Sequence, residues 1–201
     1  MPAYCPYNPA RLSAAMAAKH YAEFKGEYDL NIVGVRSLDL QSNAFNDWLC
    51  VWHVRANGCV PFYTFQATTD PGVYWRERPE NVKGVAMMVP GQYRGLWRLG
   101  MHQGAYKALV QNNDVTVYRD GNKDATLSAN AAVVETGKFG INCHRARESG
   151  ASGSVDKWSA GCQVLADADD FAFLLTLCDR QVANGKGSTF TYTLLAESDI
   201  K

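Results

Sequence analysis

The sequence of 201 residues has neither an excess of charge nor a long apolar run. Basic and acidic residues number 20 each, so the formal net charge at pH 7 is zero. Chains that bind nucleic acid usually carry a basic excess, so we predict no nucleic-acid partner. No segment contains the roughly 18 or more consecutive apolar residues of a membrane span, and we therefore predict no transmembrane segment.

The N-terminal stretch lacks the features of a conventional secretory signal. It reads MPAYCPYNPARLSAAMAAKHYAEF, without a charged leader followed by an apolar core. We predict a chain that is made in the cytoplasm and has no signal peptide. A leader removed before this sequence begins would leave the same pattern.

Cysteine occurs six times, but without a dense or paired spacing. The absence of Cys-x-x-Cys pairs argues against structural zinc, and the scattered positions argue against a disulfide framework. The pattern is typical of free thiols in a reducing compartment, and we predict no metal or other cofactor. Most of these thiols are interpreted as small buried hydrophobic residues: Cys5, Cys50, Cys59, Cys143 and Cys178.

The length is that of one domain with a full-sized core. We predict an α+β fold that is mainly β, with a helical segment over 1–29 packed on a single globular unit over 30–201. No repeat, linker or low-complexity segment divides the chain.

One helix is predicted near each end. Asn8 is a candidate N-cap with Pro9 in the first turn, and the first helix is expected to run to Lys25. The stripe predicted to pack is Ala10, Ala14, Ala17, Tyr21 and Phe24. The second helix is predicted over 168–183 after an Asp167 cap, and its inner face is predicted to be Phe171, Leu174, Leu175, Cys178 and Val182.

Strands account for most of the remaining chain. Asn57-Gly58 indicates a tight hairpin turn between the second and third strands. Apolar residues occur on both faces of the second strand, which favours a β-sandwich with a helix at each end. The predicted strands cover 31–35, 47–55, 60–68, 115–119 and 188–195.

The segment 139–164, FGINCHRARESGASGSVDKWSAGCQV, is the strongest candidate for covalent chemistry. Strands are predicted over 139–144 and 158–165, joined by a polar loop. A hairpin or neighbouring-strand arrangement would bring His144 beside Cys162. An imidazole can then take the thiol proton, and the thiolate can attack a carbonyl group.

Two thiols compete for the role of nucleophile. Cys143 adjoins His144, but neighbours on a strand point to opposite faces, so Cys143 is expected to face the core. Cys162 follows Gly161, and a glycine there allows backbone N–H groups to approach a substrate oxygen. We therefore predict Cys162 as the nucleophile.

The pattern of His144, fourteen intervening residues and then Ser159-x-Gly161-Cys162 resembles the active-site motif of the L,D-transpeptidase catalytic domain. The resemblance implies a cysteine nucleophile, a histidine base and an oxyanion held by the Gly161 and Cys162 N–H groups. It also implies an L,D-transpeptidase-like β-sandwich and a peptidoglycan stem peptide as substrate. The shorter phage lysis proteins with this kind of domain and no signal peptide are similar as well.

Two positions differ from the family motif. Ala160 stands where the family usually has histidine, and His144 is followed by Arg145 and Ala146 instead of a Gly-Thr or Gly-Ser step. The nucleophile and the base are retained. The differences concern the substrate and the acyl acceptor.

Further candidates surround the motif. Ser159 is interpreted as an orienting or hydrogen-bonding residue, or as an ordinary strand-edge serine. Arg145 and Arg147 could capture substrate carboxylates, although a solvated loop charge explains at least one of them. Trp158 could form a wall of the pocket or belong to the core.

Two candidates lie earlier in the chain. His102 lies between Gly100 and Gly104, which suggests a pocket, and it is predicted to contact substrate or to support the base; an inert turn histidine is equally consistent. Tyr93 lies in a glycine-rich aromatic segment, 89–97, that is predicted to be a loop lining a groove.

We therefore predict a monomeric, endolysin-like cysteine peptidase that hydrolyses peptidoglycan stem peptides. It would act on the cell wall in the periplasm after release through a membrane lesion, in a host cell if the protein is encoded by a phage. Two alternatives remain: an L,D-transpeptidase that forms crosslinks with the same residues, and a non-catalytic wall-binding or virion structural protein.

Overall fold

The computed structural model describes residues 4–39, 43–124, 126–128 and 133–201. Within these ranges the chain is mainly β-strand. The helices are α1 (Pro9–Ala18), α2 (Val73–Glu77) and α3 (Ala168–Ala183), with a 3-10 turn at Glu197–Asp199. The strands are β1 (Asn31–Arg36), β2 (Asp47–Trp52), β3 (Phe62–Thr68), β4 (Val85–Met88), β5 (Gly91–His102), β6 (Tyr106–Gln111), β7 (Val115–Asp120), β8 (Val134–Gly137), β9 (Cys143–Arg145), β10 (Gln163–Leu165) and β11 (Thr189–Ala196).

The strands form a closed barrel and a small sheet. The order around the barrel is β1-β11-β5-β6-β9-β10-β3-β2, and β4, β7 and β8 form the three-stranded sheet. The mixed, mainly β composition is confirmed. The predicted β-sandwich has two stacked layers, whereas the sheets observed are a barrel and a small sheet. Closure arises because β1 pairs in parallel with β11, near the other end of the chain. A barrel satisfies the hydrogen bonds of both sheet edges.

The two apolar faces of β2 are both covered. Val51 belongs to the main core inside the barrel. Cys50 and Trp52 belong to a second cluster, where Leu12 and Met16 of α1 cover the outer surface. A strand with two apolar faces therefore lies between the barrel interior and a helix, and not between the two layers of a β-sandwich.

Helix α1 is shorter than predicted. Asn8 caps it as expected, since its side chain accepts a hydrogen bond from the Arg11 N–H, but the helix ends at Ala18 instead of Lys25. His20 has a φ of 58°, a left-handed conformation that stops the helix. The predicted packing stripe is wrong for Ala10, Ala14 and Ala17, which are exposed, whereas Tyr21, beyond the end of the helix, packs against the outer cluster as predicted. The buried residues are Leu12, Ala15 and Met16.

Helix α3 has the predicted bounds. The Asp167 side chain accepts hydrogen bonds from the N–H groups of Asp169 and Asp170. Its inner face is predicted correctly in part: Phe171, Leu174 and Cys178 are buried, and Leu175 is partly buried. Val182 is exposed, and the buried positions that the prediction missed are Ala168, Leu177 and Gln181.

Local turn signals are also confirmed. Gly58 has a φ of 79° in the turn between β2 and β3, and its N–H donates to the Arg55 carbonyl at 2.9 Å. The observed bounds of β1, β7 and β11 agree with the predicted ones to within a residue at each end. In contrast, the segment 89–97 is not a loop, because most of it belongs to β5. Among the described residues, no helix combines the length and the apolar character needed to span a membrane.

Candidate active site

Strands β9 and β10 carry the residues of the motif and lie side by side. They are parallel, with His144 opposite Val164, so the hairpin alternative is wrong and the neighbouring-strand alternative is confirmed. Both are shorter than predicted. Strand β9 begins at Cys143 instead of residue 139, and β10 begins at Gln163 instead of residue 158 because the chain before it belongs to the crossover that parallel neighbours require.

Cys162 immediately precedes β10. Side chains two residues apart share a face of a strand, so Cys162, Val164 and His144 lie on the same face. One strand across and two residues along correspond to a Cα separation of about 8 Å. The sheet therefore places the thiol diagonally opposite the imidazole.

Cys143 faces the other way, as predicted. It is fully buried in the main core. Burial raises the pKa of its thiol well above the usual value. This thiol is shielded, and Cys162, which is half-buried, is the accessible one of the two.

His144 is held as a neutral base. Its Nδ1–H donates to the Arg145 carbonyl at 2.9 Å, because a carbonyl can only accept. The proton is therefore on Nδ1, and the lone pair of Nε2 is available. Burial, and next the charge of His102, lower the pKa of His144 to about 4. The imidazole is thus unprotonated at neutral pH.

Cys162 is held as a neutral thiol. Its Sγ donates to the Gly140 carbonyl at 3.3 Å. Burial raises its pKa to about 11, and a hydrogen bond from the Asn142 backbone partly opposes this effect. No stable thiolate is present at neutral pH. The proton must therefore move to His144 during the reaction, and catalytic hydrogen bonds commonly tighten when substrate binds.

This charge state predicts the pH dependence of Cys162 alkylation in the free protein. Because the folded pKa lies above neutrality, the rate of modification by iodoacetamide should rise about tenfold per pH unit from pH 7 and level off near pH 11. Peptide mass analysis would measure the rate at Cys162 and, in the same samples, at the exposed Cys59. A rate at Cys162 that is already maximal at pH 7 would contradict the neutral-thiol assignment.

Ser159 shapes the turn before the nucleophile. Its Oγ accepts from the Gly161 N–H at 3.1 Å and donates to the Cys162 carbonyl at 2.8 Å, and the residue is fully buried. The orienting role predicted for Ser159 thus operates on the backbone. The same bond occupies the Gly161 N–H, so this group does not point freely at an oxyanion. The hydrogen bonds of the described residues leave the Cys162 N–H without an acceptor.

Gly161 is required by its backbone and by its neighbour. It has a φ of 120°, and a Cβ atom there would lie 2.4 Å from the Ala86 carbonyl oxygen of β4. The turn therefore packs directly against the small sheet. Only glycine fits this position without moving the backbone.

Gly161→Ala is expected to lower the free energy of unfolding by about 2 to 4 kcal/mol, the sum of left-handed strain and overpacking. Urea unfolding measures the change. Gly150→Ala is the matched control, since Gly150 has a φ of 64° but nothing within 4 Å of its Cβ position. It should cost only about 1 kcal/mol. Equal costs for the two variants would show that the contact with Ala86 is not tight.

Two hydrogen bonds from the chain around α2 hold the turn before Cys162 in place. The Gly72 N–H donates to the Ser159 carbonyl at 2.9 Å. The Trp75 indole N–H donates to the Lys157 carbonyl, also at 2.9 Å. These bonds connect α2 to both ends of the short segment that leads to the nucleophile.

His102 contacts the proposed base, His144, from a strand that is not its neighbour. It ends β5, and its ring stacks on that of His144 with centroids 4.1 Å apart and 25° between the planes. Two neighbours were missed from sequence. The Asn142 amide lies 3.2 Å from His102 Nδ1, and the Tyr106 hydroxyl lies 3.5 Å from His144 Nδ1. Strand alternation could have identified Asn142, because it shares a face with His144.

Three other predicted residues line one hollow. Arg145, Arg147 and Trp158 surround a space of about 350 Å³ together with Tyr106 and Glu148. Arg145 lies over the Tyr106 ring at 4.3 Å. Trp158 is 43% exposed, so it forms a wall and is not part of the core. Arg145, one of the residues that line the hollow, directly follows His144 in the chain.

Tyr93 is not part of this group. Its hydroxyl donates to the Val89 carbonyl at 2.7 Å. It lies nine residues before His102 on β5, which corresponds to roughly 30 Å along an extended strand. The predicted loop could have folded toward the site, whereas the observed strand carries Tyr93 to its far end.

Metal ligands are not grouped in the ranges that the structure describes: no three His, Cys, Asp or Glu side chains come together as a metal site requires. The Nδ1 atoms of His102 and His144 already have hydrogen-bond partners in the protein.

No family model, curated protein or solved structure matches this chain. Its function must therefore be inferred from its own side chains. The arrangement of Cys162, His144 and His102 is the feature on which that inference depends.

Proposed function

We propose that the protein is a cysteine peptidase acting on peptidoglycan stem peptides, in a catalytic domain of the L,D-transpeptidase kind. The observation that supports this best is the placement of Cys162 and His144 on one face of neighbouring strands, with the lone pair of His144 Nε2 available. A thiol and a neutral imidazole so placed are the minimal parts of a nucleophile and its base. The choice of peptidoglycan rests on the motif resemblance.

In the proposed acylation step, His144 Nε2 takes the proton of the Cys162 thiol while Sγ attacks the carbonyl carbon of the third stem residue. The carbonyl electrons move to oxygen, and the Cys162 N–H is the backbone donor left to stabilise that oxyanion. The intermediate collapses as the C–N bond breaks, and His144 gives its proton to the departing amine. A thioester on Cys162 remains.

Deacylation decides between two activities. Water as acceptor regenerates the thiol and gives hydrolysis, either of a terminal residue or of a crosslink. An amine as acceptor gives transpeptidation. We favour hydrolysis and a bacteriolytic, endolysin-like role at the wall, because the motif carries Ala160 where the family usually has histidine.

The hollow beside the base suits the charged part of such a substrate. Stem peptides carry several carboxylates, and Arg145 and Arg147 present two guanidinium groups at its edge, against one carboxylate from Glu148. Guanidinium groups bind carboxylates with two parallel hydrogen bonds. Trp158 and Tyr106 supply apolar walls for the side chains of the peptide.

The test is product analysis. The purified protein is incubated with isolated Gram-negative peptidoglycan, and the muropeptides are identified by mass. Shortened stems or opened crosslinks are expected and would identify the bond cut. New crosslinks would make the protein a transpeptidase. Unchanged muropeptides across several wall types would refute both activities and leave a binding or structural protein.

A further inference from the structure

Asn142 is a polar residue that contacts His102 and lies two residues before His144. Its backbone carbonyl accepts from the Gln163 N–H of β10 at 2.9 Å. Its side-chain oxygen accepts from the Gln111 N–H of β6 at 2.8 Å, and its side-chain nitrogen contacts His102 of β5. One residue immediately before β9 therefore joins three other strands of the barrel.

These contacts determine which way the Asn142 amide points. A backbone N–H can only donate, so the atom that faces Gln111 must be the amide oxygen. The NH₂ group then faces His102 Nδ1, which must accept. His102 is therefore the neutral tautomer with its proton on Nε2, and protonation at Nδ1 would place two donors against each other.

The neutrality of His102 affects its neighbour. The ring of His144 is 4.1 Å away and becomes a cation whenever it takes the thiol proton. A second cation in the stack would oppose that step. The other titratable or charged groups near the rings are Cys162, Tyr106 and Arg145. Of these, only Arg145 is charged in the resting state, and its guanidinium lies over Tyr106.

We propose that Asn142 and His102 are positioning residues for the Cys162–His144 pair. Asn142 locks His102 as the neutral Nε2–H tautomer, and the stacked His102 ring holds His144 in place without adding a second positive charge when the thiol transfers its proton. This proposal rests on the proposed function for its catalytic meaning. The states of the rings, in contrast, can be measured without any substrate.

The experiment is a nitrogen-15 NMR titration of the histidine rings in the free protein, which distinguishes Nδ1–H, Nε2–H and charged forms. The chain has four histidines, so single variants assign each signal. In the wild type we expect His102 as Nε2–H and neutral at pH 7, and His144 as Nδ1–H and still neutral at pH 6. His102 found as Nδ1–H, or charged at pH 7, would overturn the proposal.

Asn142→Asp tests the lock. Aspartate keeps the shape and still accepts from the Gln111 N–H, but it presents an acceptor to His102 Nδ1 in place of a donor. The proton of His102 should move to Nδ1, and the ring should become charged at a pH at least roughly one unit higher than in the wild type. An unchanged His102 tautomer in this variant would refute the role of Asn142.

His102→Phe tests the stack. Phenylalanine keeps a ring against His144 but removes the imidazole, whose protonation at acid pH lowers the pKa of His144. The His144 titration should shift upward by roughly half a pH unit or more. The control is His53→Phe, since His53 is also buried and stacked, on Tyr28 at 5.2 Å, away from the site. It should leave His144 unchanged, and equal effects of the two variants would refute the proposal.

The activity assay separates this proposal from the proposed function. With muropeptide release measured in parallel, His102→Phe should shift the acid limb of the pH profile in the same direction as the His144 titration. The expected ring states together with an inactive wild type would refute the peptidase and keep the assignment of the rings. An active wild type in which neither variant changes the titrations would keep the peptidase and refute the roles proposed for Asn142 and His102.

Discussion

Cys162→Ala is expected to reduce muropeptide release by at least about 10⁴-fold, because no other group replaces a covalent nucleophile. The neighbouring thiol cannot substitute for it, since Cys143 is buried on the opposite face of its strand. The measurement is the initial rate of soluble muropeptide formation at equal protein concentration. Intact mass of the wild type mixed with substrate should also show an acyl adduct that the variant lacks.

Cys59→Ala is the matched control for the loss of a thiol. Cys59, which we predicted to be buried, is exposed in the turn between β2 and β3, and its replacement should leave the rate unchanged. The melting temperature of Cys162→Ala should stay within about 3 °C of the wild type, since a half-buried thiol contributes little to stability. Release that persists in a folded Cys162→Ala protein would exclude the thiol mechanism.

Arg76→Met is expected to lower the free energy of unfolding by about 3 to 5 kcal/mol, because it leaves a buried carboxylate without its partner. Arg76 is 1% exposed and forms an ion pair with Asp120, which is equally inaccessible. The guanidinium also donates to the Asp124 carbonyl at 2.9 Å and to the Thr126 carbonyl. Urea unfolding, with the midpoint and slope compared, measures the cost.

The double variant Arg76→Met, Asp120→Leu tests whether the unpaired carboxylate accounts for the lost stability. Replacing a buried ion pair by apolar residues of similar size often costs little, so the double variant should recover part of the lost stability. Asp120 also accepts from the Ser128 N–H at 3.0 Å, which makes full recovery unexpected. A double variant no more stable than the single one would show that the arginine stabilises mainly through its bonds to carbonyl groups.

The position of Arg76 also connects stability with the site. It lies on α2, whose Trp75 contacts the Lys157 carbonyl shortly before the nucleophile. Arg76→Met should therefore lower muropeptide release even in the fraction that remains folded, whereas Cys162→Ala should leave the fold intact. The two variants together distinguish loss of the nucleophile from loss of the contacts that hold the turn before it.

The sequence by itself determined the features that depend on short-range chemistry. Asp167 predicted the start of α3 correctly, because a carboxylate caps the N–H groups two and three residues ahead. Asn57-Gly58 predicted its turn because glycine accepts a left-handed conformation. The spacing of His144 and Cys162, with strand alternation, identified the face that they share and the thiol that faces the core.

Only the tertiary structure decided which distant segments meet. Closure of the barrel depends on pairing between β1 and β11, and parallel pairing between β9 and β10 depends on the course of a long crossover. The stack of His102 on His144 depends on the pairing of β5, β6 and β9. The close approach of Gly161 to Ala86 depends on how the small sheet packs against the turn before β10. Periodicity along one strand reports which face is apolar, but not which strand lies beside it. The energy that selects the partner comes from burying both surfaces together, and that quantity is defined only in the folded chain.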